Sequence, residues 1–309
     1  MNVAVKEPVY IIIPIHNRKQ ISLKCLENLN QCGDLQRYHV VVVDDGSTDG
    51  TTEAINCLYP DVIVLPGDGN LWWTGAIKKG MEYSYQQGAE YFIWLNDDTL
   101  SNKGAIQSLV SVCSLSPNKI VSGQCYATTE LKMPTYGGQR KKGLSLNLLY
   151  APQTEVIKCD CMSGNFVCLP RSIIEKIDFP PNEKFPHCLA DIVYTWEAKK
   201  AGYQLEVLGC AIAVCEFNPL FEGWSSNPIP MKEHWKIINS PKSNLYPPAY
   251  WFYSQTFYGW MGIIIFIQGY FRLLLFTIAR LILPLYFLKK LKICKNKIIT
   301  NYKKKLNEQ

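Results

Sequence analysis

At 309 residues, with 48% apolar and 12% aromatic content, the chain can bury one large α/β core, or one core and a short appended segment, without disulfides. A mean hydropathy of −0.05 excludes a polytopic membrane protein. The net charge of +6 is uneven: residues 231–309 hold 13 of the 32 Lys and Arg but only Glu233 and Glu308 of the 26 acids. An acidic body with a basic tail beside apolar runs points to anionic lipid rather than to nucleic acid, for which no recognised motif is present.

In chain order, the first half alternates short β-branched runs with helical patterns, the sequence form of repeated βαβ units and a mostly parallel α/β sheet. Strands are predicted at Val9–Ile13, His39–Val43, Val62–Leu65, Tyr91–Leu95 and Ile120–Ser122. Helices are predicted at Gln20–Gln31, Thr51–Leu58, Thr74–Gln87 and Lys103–Leu115. Residues 125–160, with Gly137-Gly138 and the basic Arg140-Lys141-Lys142, read as irregular. Further helices are expected near Arg171–Lys176 and from about Leu189 to Ala201, the second stopped by Gly202. These elements give a catalytic domain over residues 1–240 and an appended segment over 241–309. The 12 cysteines are scattered through strands and helices and read as reduced core residues of a cytoplasmic chain. Cys159, Cys161 and Cys168 have neither C-x-x-C spacing nor histidines at ligand spacing, so no zinc site is expected. The early VYIIIP run is too short for the apolar region of a signal peptide, and export is not expected.

In an open α/β sheet the ligand lies beyond the carboxyl ends of the strands. There the chain is polar: Pro14-Ile15-His16-Asn17-Arg18 after the first strand, Asp44-Asp45-Gly46-Ser47-Thr48-Asp49 after the second, Gly67-Asp68-Gly69-Asn70-Leu71-Trp72-Trp73 after the third, and Asn96-Asp97-Asp98-Thr99 after the fourth. Each group alone reads equally well as turns and caps; their convergence on one sheet edge favours a site. Asp97-Asp98 follows Tyr-Phe-Ile-Trp-Leu, so a buried strand fixes a pair of hard oxygen ligands. Such a pair suits Mg²⁺ or Mn²⁺, which need only one or two protein carboxylates when phosphates complete the shell.

The order VYIIIPIHNR, VVVVDDGSTDGT, GDGNLWWTGAIKKG, YFIWLNDDT and ADIVYTWEAKKAGY resembles the family 2 glycosyltransferases over roughly residues 8–215, the rhamnosyltransferase-like enzymes of bacterial polysaccharide among them. The resemblance implies the GT-A fold, a nucleotide-sugar donor and inversion at the anomeric carbon. It implies that Pro14, His16 and Arg18 flank the nucleotide and that Asp45 contacts the base, with Asn17, Asp44, Asn70 and Asn96 counted in the donor site. It further implies that Asp98 binds the metal and that Asp97 lies toward the sugar or ribose. Asp191 matches the general base. One carboxylate suffices for inversion, taking the acceptor hydroxyl proton as that oxygen attacks C1 opposite the diphosphate. Capping of the following helix is a physically sound and compatible second role for Asp191, with the base role favoured. Ser163, Gly164 and Asn165 border the acceptor site by analogy.

The sequence also departs from the family. Many relatives carry Arg-Asn in the helix after the third strand, where this chain reads Ala76-Ile77-Lys78-Lys79-Gly80; phosphate contact passes to Lys78 or is absent. Ala190 replaces a second acid before Asp191. Val214-Cys215-Glu216-Phe217-Asn218 stands where a metal-holding histidine often follows the last core strand, which leaves the third metal contact open. Trp73 is a candidate to stack on a sugar or base, and Trp72 is assigned to the core.

A dinucleotide-binding oxidoreductase would need G-x-G-x-x-G after the first strand. The chain's one G-x-G, at Gly67 and Gly69, follows the third strand with Trp72 in the third glycine's place. A nucleotidylyltransferase would show a glycine-rich basic first loop. The remaining rival is a catalytically inactive nucleotide-sugar-binding or scaffold protein of the same fold, disfavoured because the metal carboxylates and the base are all present.

In the appended segment, Tyr246, Tyr250, Trp251, Tyr253, Tyr258 and Trp260 form an aromatic cluster of the headgroup-depth kind, and Gly262–Leu288 is mostly apolar. A spanning helix would have to bury Arg272 and Arg280, at roughly 2.5–3.5 kcal/mol each, and accommodate Pro284. With Gln268 they fall within about 120° of a helical wheel, which suits a helix lying in the interface. Eight lysines from Lys289 to Lys305 add attraction to anionic lipid. The expectation is a peripheral enzyme on the cytoplasmic face of a membrane, acting on a glycan or lipid-linked acceptor; packing of the segment on the enzyme's core or on a partner chain is the competing reading.

Overall fold

The computed structural model describes residues 5–128, 133–216 and 231–282. The chain divides into two compact units, Met1–Asn218 and Pro219–Gln309, a division ahead of the boundary drawn near residue 240.

In the first unit the strands are β1 (Val9–Ile15), β2 (His39–Asp44), β3 (Ile63–Pro66), β4 (Tyr91–Leu95), β5 (Leu100–Ser101), β6 (Lys119–Tyr126), β7 (Pro134–Tyr136), β8 (Gly138–Lys142), β9 (Ser145–Leu148), β10 (Val156–Lys158), β11 (Cys161–Met162), β12 (Phe166–Pro170) and β13 (Gln204–Val214). The helices are α1 (Lys19–Cys32), α2 (Asp34–Arg37), α3 (Thr51–Leu58), α4 (Trp72–Gln86), α5 (Ala105–Cys113), α6 (Ser172–Ile177) and α7 (Ala190–Lys200). Successive residues of a strand face opposite sides of its sheet, and here both sides are apolar. Ile11, Ile13, Val40, Val42 and Ile93 join a core with α1, α3 and α5; Tyr10, Ile12, Val41, Val43 and Trp94 join another with α4, α6 and α7. That two-sided burial explains why these strands read as continuous apolar runs.

The main sheet has the order β10-β13-β6-β12-β4-β1-β2-β3. β3, β2, β1 and β4 run parallel, while β12 lies antiparallel between β4 and β6 and β13 runs parallel to β6. The sheet is therefore mixed, and the reversal of β12 matters for the site: Phe166 pairs with Leu95, so the loop that enters β12 arrives beside the carboxyl end of β4. β5 performs a similar service by pairing Leu100 with Val214, which draws the end of the acidic loop to the end of β13.

The region expected to be irregular holds β7 to β10, and β11-β8-β9 form a second, three-stranded sheet. Gly143, at φ 61°, turns the β8–β9 hairpin. In β8 both faces carry polar side chains, Arg140 and Lys142 on one and Gln139 and Lys141 on the other, so it shows no apolar alternation; β9 alternates, but over only four residues.

In the second unit, α8 (Met231–Ile238), α9 (Pro247–Tyr258) and α10 (Gly262–Ile282) are described. Gly259, at φ 56°, breaks the helix, and α10 folds back along α9: Tyr250 Oη donates to the Ile265 carbonyl at 3.2 Å, and the Tyr250 ring stacks on Phe266. Tyr250 thus belongs to the inter-helix stack; Trp251 meets Phe266 edge-on at 5.1 Å while remaining partly exposed, and Trp260 is exposed. Ile263, Ile267, Phe271, Leu274, Ile278 and Leu281 are all exposed, within about 80° of the helix circumference at 3.6 residues per turn. Gln268 and Arg272 are exposed beside that arc. An 18-residue window within Pro247–Ala279 has a mean hydropathy of 1.9, which by length and composition alone is enough to cross a membrane. Pro284 and the eight lysines from Lys289 to Lys305 lie outside the described residues.

Candidate active site

The loop after β2 is built around its own two carboxylates. Asp44 accepts from Ser47 N at 2.9 Å through Oδ1 and from the Thr52 hydroxyl through Oδ2. Asp45 accepts from Gly69 N at 2.9 Å and Leu71 N at 3.1 Å through Oδ1, and from Trp72 N at 2.9 Å through Oδ2. Both residues are buried. Asp45 thereby fastens the β2 loop to the start of α4, where orphan amides require acceptors. Asp44, counted above with the donor-binding residues, has one oxygen engaged by Ser47 of its own loop and the other by Thr52 in the first turn of α3.

The first loop leans on the same frame. His16 Nδ1 donates to the Asp45 carbonyl at 2.6 Å. Asn17 adopts φ 51°, its N–H donating to Ser47 Oγ and its Oδ1 accepting from Thr48 N. Asn17 is rigidly placed at the loop junction, and Arg18 follows as the N-cap of α1. Pro14 is half-buried at the end of β1.

Arg18 points at the acidic pair after β4. Its Nη1 donates to Asp97 Oδ1 at 2.8 Å and its Nη2 to Asp98 Oδ2 at 3.0 Å. Ser22, one turn along α1, donates to Asp97 Oδ2 at 3.2 Å. Burial, opposed by Arg18 and reinforced by Asp98, pushes Asp97 up to about 6. Asp98 is the more accessible of the two, its side chain 23% exposed against 4% for Asp97. Its Oδ1 accepts from Cys215 Sγ at 3.6 Å, and burial together with Asp98 pushes the Cys215 thiol up to about 12.

On the other side of β4 the Ser163-Gly164-Asn165 loop joins the network. Asn165 Nδ2 donates to Cys215 Sγ at 3.7 Å, and the Asn165 carbonyl accepts from Asn96 N at 3.2 Å. Asn96 Oδ1 accepts from Trp73 Nε1 at 2.8 Å. Gly164 N donates to Asp191 Oδ2 at 2.7 Å. A Cβ on Gly164 would lie 2.5 Å from the Trp73 ring and 3.1 Å from Asp191, so only glycine lets the ring and the carboxylate close on this loop. Ser163 is buried, its Oγ accepting from Gln139 Nε2 at 3.3 Å. Asp191 lies in the first turn of α7 behind Leu189, which takes the N-cap position at φ 69°, so Asp191 is not itself the N-cap. Its Oδ1 accepts from Ile192 N at 2.8 Å, and burial raises its pKa above the ordinary carboxylate value.

Two candidates face elsewhere. Lys78 reaches Asn182 Oδ1 at 3.5 Å and Glu82 at 3.9 Å; Asn70 turns back on Asp68. Trp72, assigned to the core, is only half-buried: at φ 55° it opens α4 and meets His187 edge-on at 6.0 Å. Sequence reasoning missed Cys215, noted only as a missing histidine, and missed Ser22; the i, i+4 spacing of Arg18 and Ser22 on α1 was a usable signal.

Asp98 fits a divalent cation as one hard oxygen ligand: it is accessible, and with Asp97 and Arg18 the local charge stays negative. Among the described residues no group of three His, Cys, Asp or Glu gathers around it, so water or ligand oxygens would have to complete the shell.

Residues 10–177 match the family described as Glycosyl transferase family 2. Glycosyltransferase AglE of Haloferax volcanii is 25% identical over 212 residues, 65% of this chain and 66% of that protein, just under two thirds of its length. Among solved structures, GalNAc-T7 with UDP, GalNAc and Mn²⁺ superposes with a TM-score of 0.57 at 14% identity, over 77% of this chain and 49% of that one. The mannosyltransferase PcManGT of Pyrobaculum calidifontis, in complex with GDP-Man and Mn²⁺, gives 0.52 at 14% identity over 90% and 85%. S. aureus TarS 1-349 with UDP gives 0.51 at 14% identity over 76% and 64%. The fold is that of the GT-A glycosyltransferases, and with more than half of its length matched the chain belongs to glycosyl transferase family 2.

Proposed function

We propose that the chain transfers a hexosyl or deoxyhexosyl group from a nucleoside diphosphate donor to a hydroxyl of a glycan or lipid-linked acceptor, with inversion, in the synthesis of a surface polysaccharide. The observation that carries this reading is the unbroken chain of contacts from Asp98 through Cys215, Asn165 and Gly164 to Asp191, which ties a cation ligand and a base to one loop. Asp98 would hold Mg²⁺ or Mn²⁺ for the donor diphosphate, a bound cation supplying charge neutralisation to the leaving group. Pro14, His16 and Asn17 flank the nucleotide on the frame made by Asp45, and Asp97 and Asn96 lie toward the ribose or sugar. Trp73 offers a ring to the sugar. Asp191 takes the acceptor proton, its raised pKa making it a stronger base than an exposed aspartate. Mn²⁺ beside nucleotides or sugars in two structural neighbours supports the cation assignment. The test is a screen of nucleotide sugars for metal-dependent release of nucleoside diphosphate. A protein that binds a donor but releases nothing with any acceptor or metal would instead be the inactive binding protein.

The exposed apolar arc of α10, bordered by Gln268 and Arg272, supports docking in the interface of an anionic membrane, at its cytoplasmic face, rather than crossing it. Flotation of the full chain on anionic vesicles, lost in Ile267→Glu and Phe271→Glu, is the expected result. Retention through alkaline carbonate would mean a spanning helix.

A further inference from the structure

Asp97 and Asp98 share one guanidinium on unequal terms. Arg18 gives Nη1 to Asp97 and Nη2 to Asp98. Asp97 is also bonded by Ser22 and is 3% exposed, so it has a second anchor. Asp98 has a partly exposed side chain, and among the described residues its other oxygen meets only the thiol of Cys215, a weak donor. The guanidinium is a rigid planar fork. Turning it about the Asp97 contact releases Asp98 Oδ2 while Asp97 keeps both of its partners. The base of the side chain stays fixed, because Asn17 is clamped by Ser47 and Thr48. The exchangeable half of the fork is therefore the half on the accessible carboxylate.

A divalent cation on Asp98 and a guanidinium on the same oxygen would repel each other, and strongly so in a partly buried site. Metal arriving alone must break a charge-assisted hydrogen bond with nothing to replace it. Metal arriving with a diphosphate need not, since phosphate oxygens are good partners for the freed guanidinium nitrogen. We propose that Arg18 is a built-in counter-ion of Asp98 that yields its oxygen to the cation when a nucleoside diphosphate takes the released Nη2, so that metal and nucleotide load as one unit. The inference rests on Asp98 being the metal ligand, as argued above.

The experiment is direct titration of Mn²⁺ by the electron paramagnetic resonance signal of the free aquo ion, on the full chain, without nucleotide, with UDP and with GDP. Wild type should bind Mn²⁺ weakly alone and at least about tenfold more tightly with one of the nucleotides. Arg18→Gln should raise the nucleotide-free affinity by about tenfold and shrink the nucleotide's effect. Arg18→Lys keeps the charge but not the fork and should fall between. Adding Asp98→Asn should abolish binding in every background. Nucleotide-free affinity that is unchanged or lower in both Arg18 variants overturns the exchange and leaves Asp98 as the ligand. Binding that survives Asp98→Asn, or no binding by wild type with either nucleotide, overturns the metal assignment and the exchange with it.

Discussion

The chain contains two Asp-Asp pairs, each at the carboxyl end of a parallel strand, and they are satisfied in opposite ways. Asp44 and Asp45 are satisfied almost wholly by backbone N–H groups and a hydroxyl from neighbouring loops. Asp97 and Asp98 are satisfied by a cation, a serine and a thiol, all side chains that can move. A carboxylate held by the main chain is architecture, and one held by an arginine is available for exchange. The dipeptide is identical in both places; the partners decide.

The strongest test of that contrast is Asp98→Ala. Metal-stimulated kcat/KM for nucleoside diphosphate release should fall on the order of 10³-fold or more, with the melting temperature nearly unchanged. Next is Asp191→Asn, which keeps size and polarity but cannot take a proton. Transfer should fall by about 10²-fold or more while donor affinity, read by calorimetry, survives; unchanged transfer would demote Asp191 to a tie between α7 and the Gly164 loop. Asp45→Ala should act on the frame instead. It leaves three amides without an acceptor, so denaturant unfolding should report a loss of about 2–4 kcal/mol, and residual kcat should stay within about tenfold of wild type. An Asp45→Ala protein of full stability that no longer binds nucleotide would dissolve the distinction between the pairs.

The smallest expected effect is one of pH. Asp97 titrates at about 6 in the folded protein against about 3.9 unfolded. Between those values the folded state holds the extra proton, so this group's contribution to stability falls as pH rises through the window and is constant above it. Asp97→Asn should flatten the slope of unfolding free energy between about pH 4 and pH 6. A slope of the same size in the variant would mean that other groups produce it.

Much of the catalytic unit was legible because β1, β2 and β4 are short, apolar and bounded by polar loops, and because α1, α3 and α7 have clear starts and stops. What failed did so for local reasons. β8 lacks the apolar contrast on which strand recognition depends, and β9 alternates Leu146 and Leu148 with Ser145 and Asn147 over only four residues. Trp72 was assigned to the core by composition, but a residue at φ 55° that opens a helix has its direction set by the turn. The acidic partners of Arg18 were not legible, because nothing in its neighbourhood announces residues 79 and 80 positions away. Cys215 illustrates the same limit, since β5 brings it to Asp98 and a two-residue strand carries almost no pattern of its own.

The antiparallel strand at the centre of the sheet has a consequence for how the molecule is made. β4 and β6 are finished by residue 126, yet the strand between them begins at Phe166. During synthesis two strand edges must wait side by side without pairing, each a template for misassociation. The acidic loop, the Gly164 loop and the end of β13 come together only after that strand is inserted, so the chemistry cannot arise in a partly made chain. A ribosome-bound chain ending near residue 128 should accordingly depend on chaperones in a way that one ending beyond residue 218 does not.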